Sequence, residues 1–193
     1  MIISHKHKFI FVKTRKTAGS SIENFLSKYL GENDICTGSD IDNTPRLNAP
    51  HTRGHIGFKW IQENYPSEWK NYYKFAVDRN PYDKMISYFY WHRNSQCSFE
   101  EFCLDNTKQY NCWFRYADNE IKVNKLMKFE DIHNEIKKSP LPYNNEMLTI
   151  FKKKTVVNKK VEHTNKTIEA IKQSFKNVID YFKYDYNTQT SLG

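Results

Sequence analysis

The chain has 193 residues and a mass of 23.2 kDa, a length that suits one domain with its own hydrophobic core. A mean hydropathy of −0.83 together with 16% aromatic residues is typical of a folded protein and excludes an intrinsically disordered one. The formal charge of +8 predicts attraction to a polyanion, which leaves nucleic acid, anionic lipid, an acidic glycan and a multiply phosphorylated cofactor open.

The cysteines and the first residues bear on whether the protein contains a metal site, disulfides, a signal peptide or a membrane span. The four cysteines are Cys36, Cys97, Cys103 and Cys112. They lack Cys-x-x-Cys spacing, and we therefore expect four reduced thiols and no metal site. The apolar run that follows Lys8 is too short for a signal peptide or a membrane span. We expect a cytoplasmic protein without a membrane segment.

The chain begins with a predicted strand, loop and helix. Lys8 to Lys13 is a compact run of β-forming residues that predicts a buried strand, and Thr14 to Gly19 is a small polar loop. A helix is predicted next, with Ser20 or Ser21 near its N-cap and Gly31 as its stop. Its apolar face consists of Ile22, Phe25, Leu26, Tyr29 and Leu30.

The same layout is predicted a second time. Residues 32–54 show little periodicity and are interpreted as an irregular surface segment. Tyr72 to Val77 predicts a second strand, and Pro81 opens a helix that reaches about Arg93. A capping-box pattern at Ser98 to Glu101 predicts another helix.

The last predicted elements complete an alternating pattern. Lys125 to Phe129 predicts a third strand, and one long amphipathic helix is predicted from Asn165 onward. Its apolar positions are Ile168, Ile171, Phe175, Val178, Ile179 and Phe182. Alternating strands and helices predict a single α/β domain over residues 1–193, with a mainly parallel sheet and with ligands beyond the carboxyl ends of its strands.

The loop Lys16-Thr17-Ala18-Gly19-Ser20-Ser21 has the composition of a phosphate cradle. Lys16 supplies a fixed cation, Gly19 allows close approach of the backbone, and three hydroxyls lie where a helix N-terminus presents free amides. The Walker A order is absent because the lysine precedes the glycine. The loop therefore does not predict ordinary ATP or GTP binding.

Two segments resemble the cofactor motifs of sulfotransferases that use 3′-phosphoadenosine 5′-phosphosulfate (PAPS). The segment from Phe11 to Ser21 is similar to the 5′-phosphosulfate loop of that family, and the segment from Phe75 to Tyr88 is similar to its 3′-phosphate motif. Arg79 and Ser87 lie eight positions apart, as that motif requires. An arginine at a strand end and a serine about two helical turns along the next helix can grip one phosphate together.

The resemblance is closest to the carbohydrate-directed and phage- or bacterial-type branch, of which heparan sulfate 2-O-sulfotransferases are an example. Segments 128–131 and 184–186 are similar to that branch as well. The resemblance implies a P-loop-like three-layer domain with a central, mainly parallel sheet flanked by helices. It also implies PAPS as cofactor, adenosine 3′,5′-bisphosphate as product and no metal.

Individual residues acquire roles from this resemblance. Lys16 is the candidate catalytic cation, because a mobile ammonium can follow the charge that builds on the leaving phosphate. His55 is the candidate general base, since its Gly-His pair ahead of an apolar helix resembles the catalytic histidine segment of the 2-O-sulfotransferases; His51 is the alternative. The implied cofactor-binding residues are Lys16, Thr17, Ala18, Gly19, Ser20, Ser21, Arg79, Ser87 and Lys159.

Two features have an ordinary structural interpretation as well. Lys159 lies in a short basic run that resembles the loop closing over the nucleotide in relatives, and a solvated lysine run explains it equally well. The aromatic residues 88–91, Trp113 and Phe114 are candidates for stacking on adenine, although core packing explains most such residues.

The expected activity is transfer of the sulfuryl group of PAPS to an acceptor hydroxyl, with a carbohydrate favoured, or to an amine. A kinase of related fold is an alternative, which the missing Walker A order opposes. A basic nucleic-acid-binding module is another, but it leaves both motifs unexplained, and we expect no nucleic-acid partner. A catalytically inactive relative is a third. The sequence predicts a small-molecule or glycan acceptor without identifying it, and it does not predict the oligomeric state.

Overall fold

A computed structural model of the chain describes residues 1–38, 44–50, 54–92, 97–147 and 161–186. The chain divides into two compact units. The first comprises Met1–Asp78 and Phe114–Lys152, and the second comprises Arg79–Trp113 and Lys153–Gly193. All the strands lie in the first unit, and the regular elements of the second are helical, as far as the described ranges go.

The described residues form a five-stranded sheet with the strand order β3-β1-β2-β4-β5. The strands are β1 (Ile2–Ser4), β2 (Phe9–Val12), β3 (Ile35–Cys36), β4 (Tyr73–Asp78) and β5 (Lys125–Lys128). β2 pairs in parallel with β4, and β4 with β5, whereas β1 is antiparallel to both β2 and β3. All strands except β1 therefore run in one direction, which confirms the predicted mainly parallel sheet and the mixed α/β class.

Eight α-helices lie within the described ranges. They are α1 (Gly19–Ser27), α2 (Phe58–Asn64), α3 (Pro66–Asn71), α4 (Pro81–Trp91), α5 (Phe99–Tyr110), α6 (Ile132–Lys137), α7 (Asn165–Ser174) and α8 (Lys176–Phe182). Two short 3₁₀ helices add Trp113–Arg115 and Phe129–Asp131. α1, α2, α3 and α6 belong to the first unit, and α4, α5, α7 and α8 belong to the second.

Aromatic and aliphatic residues at alternate strand positions build the core of the first unit. Phe11 on β2 lies opposite Phe75 on β4, and the two rings stack with their centroids 4.8 Å apart. The core on this face includes the α1 residues Ile22, Phe25 and Leu26. Their i, i+3, i+4 spacing is the apolar stripe that predicted the helix. Both faces of β2 are buried, which is typical of a parallel sheet.

The second unit has a core of its own, formed mainly by α4, α5 and α7. Tyr88 on α4 stacks on Tyr110 of α5 with ring centroids 4.0 Å apart, and both side chains are buried. The predicted capping box is confirmed, because Ser98 and Glu101 exchange hydrogen bonds at the start of α5.

Several sequence-based boundaries were wrong. The predicted single terminal helix is two helices, because the backbone at Phe175 leaves the helical region, with φ −112° and ψ 20°, while its ring is fully buried. The first helix ends at Ser27, well before Gly31. The third strand ends before Phe129, which starts a 3₁₀ helix. α4 ends at Trp91, and the predicted endpoint Arg93 lies outside the described residues.

The structure also contains two strands that the sequence did not predict. β1 and β3 have three and two residues, too few to show an alternating pattern. β3 lies within the segment 32–54, which was interpreted as irregular. It forms because β1 offers an edge at which Ile3 pairs with Ile35.

A buried ion pair joins the residue after β2 to α1. Nζ of Lys13 lies 2.5 Å from Oε2 of Glu23, and both side chains are almost fully buried. The other carboxylate oxygen accepts from the Met1 amino group at 2.8 Å and from Thr37 Oγ1 at 3.0 Å. Burial alone would raise the pKa of Glu23, but the charges of the Met1 amino group and Lys13 hold it below its ordinary value.

Glu23→Gln is expected to lower the free energy of unfolding by about 3–5 kcal/mol, because it leaves buried positive charge without a counter-charge. Glu146→Gln is the matched control, since Glu146 pairs with Lys28 at the surface and its side chain is 60% exposed. The control should cost less than about 1 kcal/mol. Urea denaturation measures both changes, and equal losses would contradict a structural role for the buried pair.

Candidate active site

The loop between β2 and α1 lies at the carboxyl edge of the parallel strands. β2 and β4 are neighbours and run in the same direction, so their carboxyl ends meet at one edge. The hydroxyl of Thr14 donates to the carbonyl of Val77 and ties the start of the loop to the end of β4. The structure therefore places the predicted phosphate loop where an open parallel sheet binds its ligands.

The loop backbone adopts the left-handed conformation twice. Lys16 has φ 59° and Ala18 has φ 56°, although neither is a glycine and each such residue costs on the order of 1 kcal/mol. Ala18 is the N-cap of α1, and Ser20 and Ser21 lie near it, as predicted. Both serines lie in the first helical turn. Among the described residues no side chain caps this turn, and its amides are suited to an anion.

The side chains of the loop fall into two groups. Thr17 is buried, and its hydroxyl lies 2.8 Å from that of Thr14, so it stabilises the loop from within. Gly19 is required by packing, because a Cβ there would lie 2.9 Å from Cγ of Lys13. Lys16, Ser20 and Ser21 remain half-buried and accessible to a ligand.

His55 lies beside the start of this loop. Its Nδ1 is 3.3 Å from the carbonyl oxygen of Lys13, three residues before Lys16. A carbonyl only accepts hydrogen bonds, so Nδ1 carries the proton and Nε2 keeps the lone pair that a general base needs. Burial and the charge of Lys13 lower the pKa of His55 to about 4, which keeps the ring neutral at neutral pH. The alternative base, His51, lies outside the described residues.

The structure adds two residues that sequence reasoning missed. Lys13 contacts Glu23 and His55, and Nη1 of Arg115 donates a hydrogen bond to the carbonyl of His55. Arg115 also lies over the ring of the exposed Phe114, with 5.0 Å from its guanidinium carbon to the ring centroid. Positions 55 and 115 are too far apart for any local sequence pattern to connect them.

The predicted 3′-phosphate residues lie in the second unit. Arg79 directly follows β4, and Asn80 caps α4 by accepting from the amide of Tyr82 at 3.0 Å. Ser87 is on α4, about 9 Å along the helix axis from Pro81. Arg79 and Ser87 are both half-buried.

The remaining predicted positions divide between core, surface and outside the described ranges. Tyr88 is a core residue, as its stacking on Tyr110 shows, whereas Trp91 is 61% exposed. Directly after α4, Nε2 of His92 shares a hydrogen bond with the Tyr110 hydroxyl at 2.5 Å. Lys159 lies outside the described residues.

All four cysteines lie in the described part of the chain, where none of them forms a disulfide. Within that part no helix is long and apolar enough to cross a membrane. The same residues contain no group of three or more His, Cys, Asp or Glu side chains that could hold a metal ion.

Ala18→Gly should stabilise the protein by up to about 1 kcal/mol, because glycine adopts the left-handed conformation without the steric cost of a Cβ. Ala170→Gly, within α7, is the matched control and should destabilise by about 1 kcal/mol. Both values follow from urea denaturation. Equal losses in the two variants would show that Ala18 carries no backbone strain.

His55 predicts a loss of stability in acid. Its pKa in the folded protein lies below the unfolded value, so its contribution is complete above pH about 6.5 and is lost as the pH falls towards 4. Wild type should therefore lose on the order of 2 kcal/mol more than His55→Asn between pH 7 and pH 5. Denaturation curves at both pH values measure the difference, and parallel losses would contradict the lowered pKa.

Comparison with known proteins assigns the family. No curated protein matches the chain significantly. A family model, described as the sulfotransferase family, matches residues 1–133, which is 133 of the 193 residues. The match runs from β1 to the beginning of α6 and includes the loop before α1 and the Arg79 to Ser87 segment. The chain therefore belongs to the sulfotransferase family and is a transferase of sulfuryl groups.

Proposed function

We propose that the protein transfers the sulfuryl group of PAPS to an acceptor hydroxyl, with a carbohydrate as the favoured acceptor, or to an amine. The observation that carries the proposal is the loop from Lys16 to Ser21 at the carboxyl edge of the sheet, with the neutral His55 hydrogen-bonded to the carbonyl of Lys13. An accessible cation, uncapped amides and a neutral imidazole are the three groups that such a transfer requires.

We also propose a domain assignment, a cellular compartment and an acceptor class for the protein. We assign the whole chain, residues 1–193, to one P-loop-like three-layer sulfotransferase domain, because the family match includes parts of both compact units. The four free thiols favour a reducing compartment, and we place the reaction in the cytoplasm. The acceptor is a small molecule or a glycan, and no nucleic acid takes part.

Binding of the donor uses both motifs. The amides of Thr17, Ala18 and Gly19, with the hydroxyls of Ser20 and Ser21, bind the 5′-phosphosulfate at the start of α1. The guanidinium of Arg79 and the hydroxyl of Ser87 bind the 3′-phosphate, and Lys159 adds a positive charge.

The chemical step is an in-line displacement at sulfur. Nε2 of His55 accepts the proton of the acceptor hydroxyl as its oxygen bonds to sulfur, and the bond from sulfur to the phosphate oxygen breaks. The ammonium of Lys16 stabilises the charge that the leaving phosphate acquires. Negative charge from the bound donor raises the basicity of His55 above that of the free protein, where its pKa is about 4.

Calorimetric titration with adenosine 3′,5′-bisphosphate and with ATP, each without metal, tests the donor site. Tight binding of the bisphosphate alone supports the proposal. A preference for Mg-ATP would contradict it and would favour a kinase.

Lys16→Ala is expected to abolish turnover. Lys28→Ala is its control, because this substitution removes the same charge at the other end of α1. His55→Ala should abolish turnover and retain bisphosphate affinity. Turnover is measured as bisphosphate released from PAPS with a panel of glycosides, desulfated glycans and amines. Retained turnover in His55→Ala together with its loss in His51→Ala would assign the base to His51.

A further inference from the structure

The segment that carries His55 has little regular structure of its own. Residues 54–57 precede α2 without helix or strand, and a glycine lies on each side, at positions 54 and 57. Glycine gives a chain more freedom than any other residue, so this segment needs contacts from elsewhere to hold the imidazole in one place.

The Met1 amino group donates to the carbonyl of Gly54 at 3.0 Å, and two further contacts from different parts of the first unit restrain His55 itself. The carbonyl of Lys13 accepts from Nδ1 of His55 at 3.3 Å, which is a long hydrogen bond. The second contact is to the backbone, where the carbonyl of His55 accepts from Nη1 of Arg115. A charged donor makes this the stronger of the two. A Cβ on Gly57 would lie 3.5 Å from Cα of Arg115, so the two backbones are close neighbours.

Arg115 is held in place through the residue that follows it in the chain. The next residue, Tyr116, is fully buried, and its hydroxyl donates to the carboxylate of Asp78 at the end of β4. Arg115 is therefore attached to the sheet edge from which the phosphate loop also starts. The guanidinium carbon lies 5.0 Å from the centroid of the Phe114 ring, a cation–π contact that further restrains the donor.

The chemistry of this contact favours arginine over lysine. A planar guanidinium can lie on an aromatic ring and donate a hydrogen bond within its plane at the same time, whereas an ammonium has no such plane. Burial and the charge of Lys13 are the larger causes of the low pKa of His55, and the positive charge of Arg115 adds a smaller contribution in the same direction.

We propose that Arg115 is a positioning residue for sulfuryl transfer, which holds the backbone of His55 so that the imidazole stays at the start of the phosphate loop with Nε2 unprotonated. This inference rests on the proposed role of His55 as the base. Arg115 acts through His55 and binds neither donor nor acceptor.

The test uses Arg115→Met, Arg115→Lys and the control Arg46→Met, which removes the same charge at an exposed position of the first unit. NMR spectra of ¹⁵N-histidine-labelled protein follow the pKa and the tautomer of His55. Arg115→Met should raise that pKa and lower kcat for PAPS turnover by roughly 10- to 100-fold, with KM for PAPS and bisphosphate affinity unchanged. Arg115→Lys should keep more of the low pKa and still lose most of kcat.

An unchanged His55 titration and tautomer in folded Arg115→Met would overturn the inference, as would a loss of kcat no greater than the loss of folded protein. A rise in KM for PAPS with kcat unchanged would also overturn it, because Arg115 would then bind the donor. Absence of bisphosphate binding in wild type is a separate outcome that contradicts the proposed function, and the NMR titration still tests the contact between Arg115 and His55 in that case.

Discussion

The buried ion pair between Lys13 and Glu23 is the interaction on which the candidate site depends. Lys13 immediately follows β2, and each part of it has a partner: its ammonium contacts Glu23 on α1, its Cγ packs against Gly19, and its carbonyl accepts from His55. Its side chain is only 4% exposed, so the charge is held in place by Glu23 and not by water. One residue thereby fixes the strand end, the helix start and the position of the imidazole.

Next to Lys13, the loop before α1 has an unfavourable backbone conformation at two residues. Left-handed conformations at Lys16 and Ala18 cost stability in residues with a Cβ, and they persist because the surrounding contacts hold them. The hydroxyls of Thr14 and Thr17 bond to each other, and Thr14 bonds to the neighbouring strand. In this arrangement no described side chain caps the first turn of α1, and Lys16 is half-buried.

Sequence patterns predicted those strands and helices that extend over enough residues to leave a recognisable local pattern. β2, β4 and β5 follow compact runs of β-forming residues, α1 follows a periodic apolar face, and α4 and α5 begin at a proline and a capping box. The order of these elements predicted a mainly parallel sheet. β1 and β3 were missed because strands of two or three residues form only when a neighbouring edge is present. The break at Phe175 was missed because its spacing continues the apolar face, so the sequence pattern runs through the position at which the backbone leaves the helical region.

For the site, the sequence by itself determined the chemical groups and their local order. Lys16 to Ser21, Arg79 with Ser87, and the Gly-His pair at 54 and 55 are contiguous or closely spaced, so the motifs could be found without coordinates. Only the tertiary structure decided that His55 bonds to the carbonyl of Lys13, that Glu23 neutralises Lys13, and that Arg115 holds His55. These contacts join residues that are distant in the chain or that point into the core. The energy of each contact depends on how deeply its groups are buried, and a local sequence pattern does not reveal that burial.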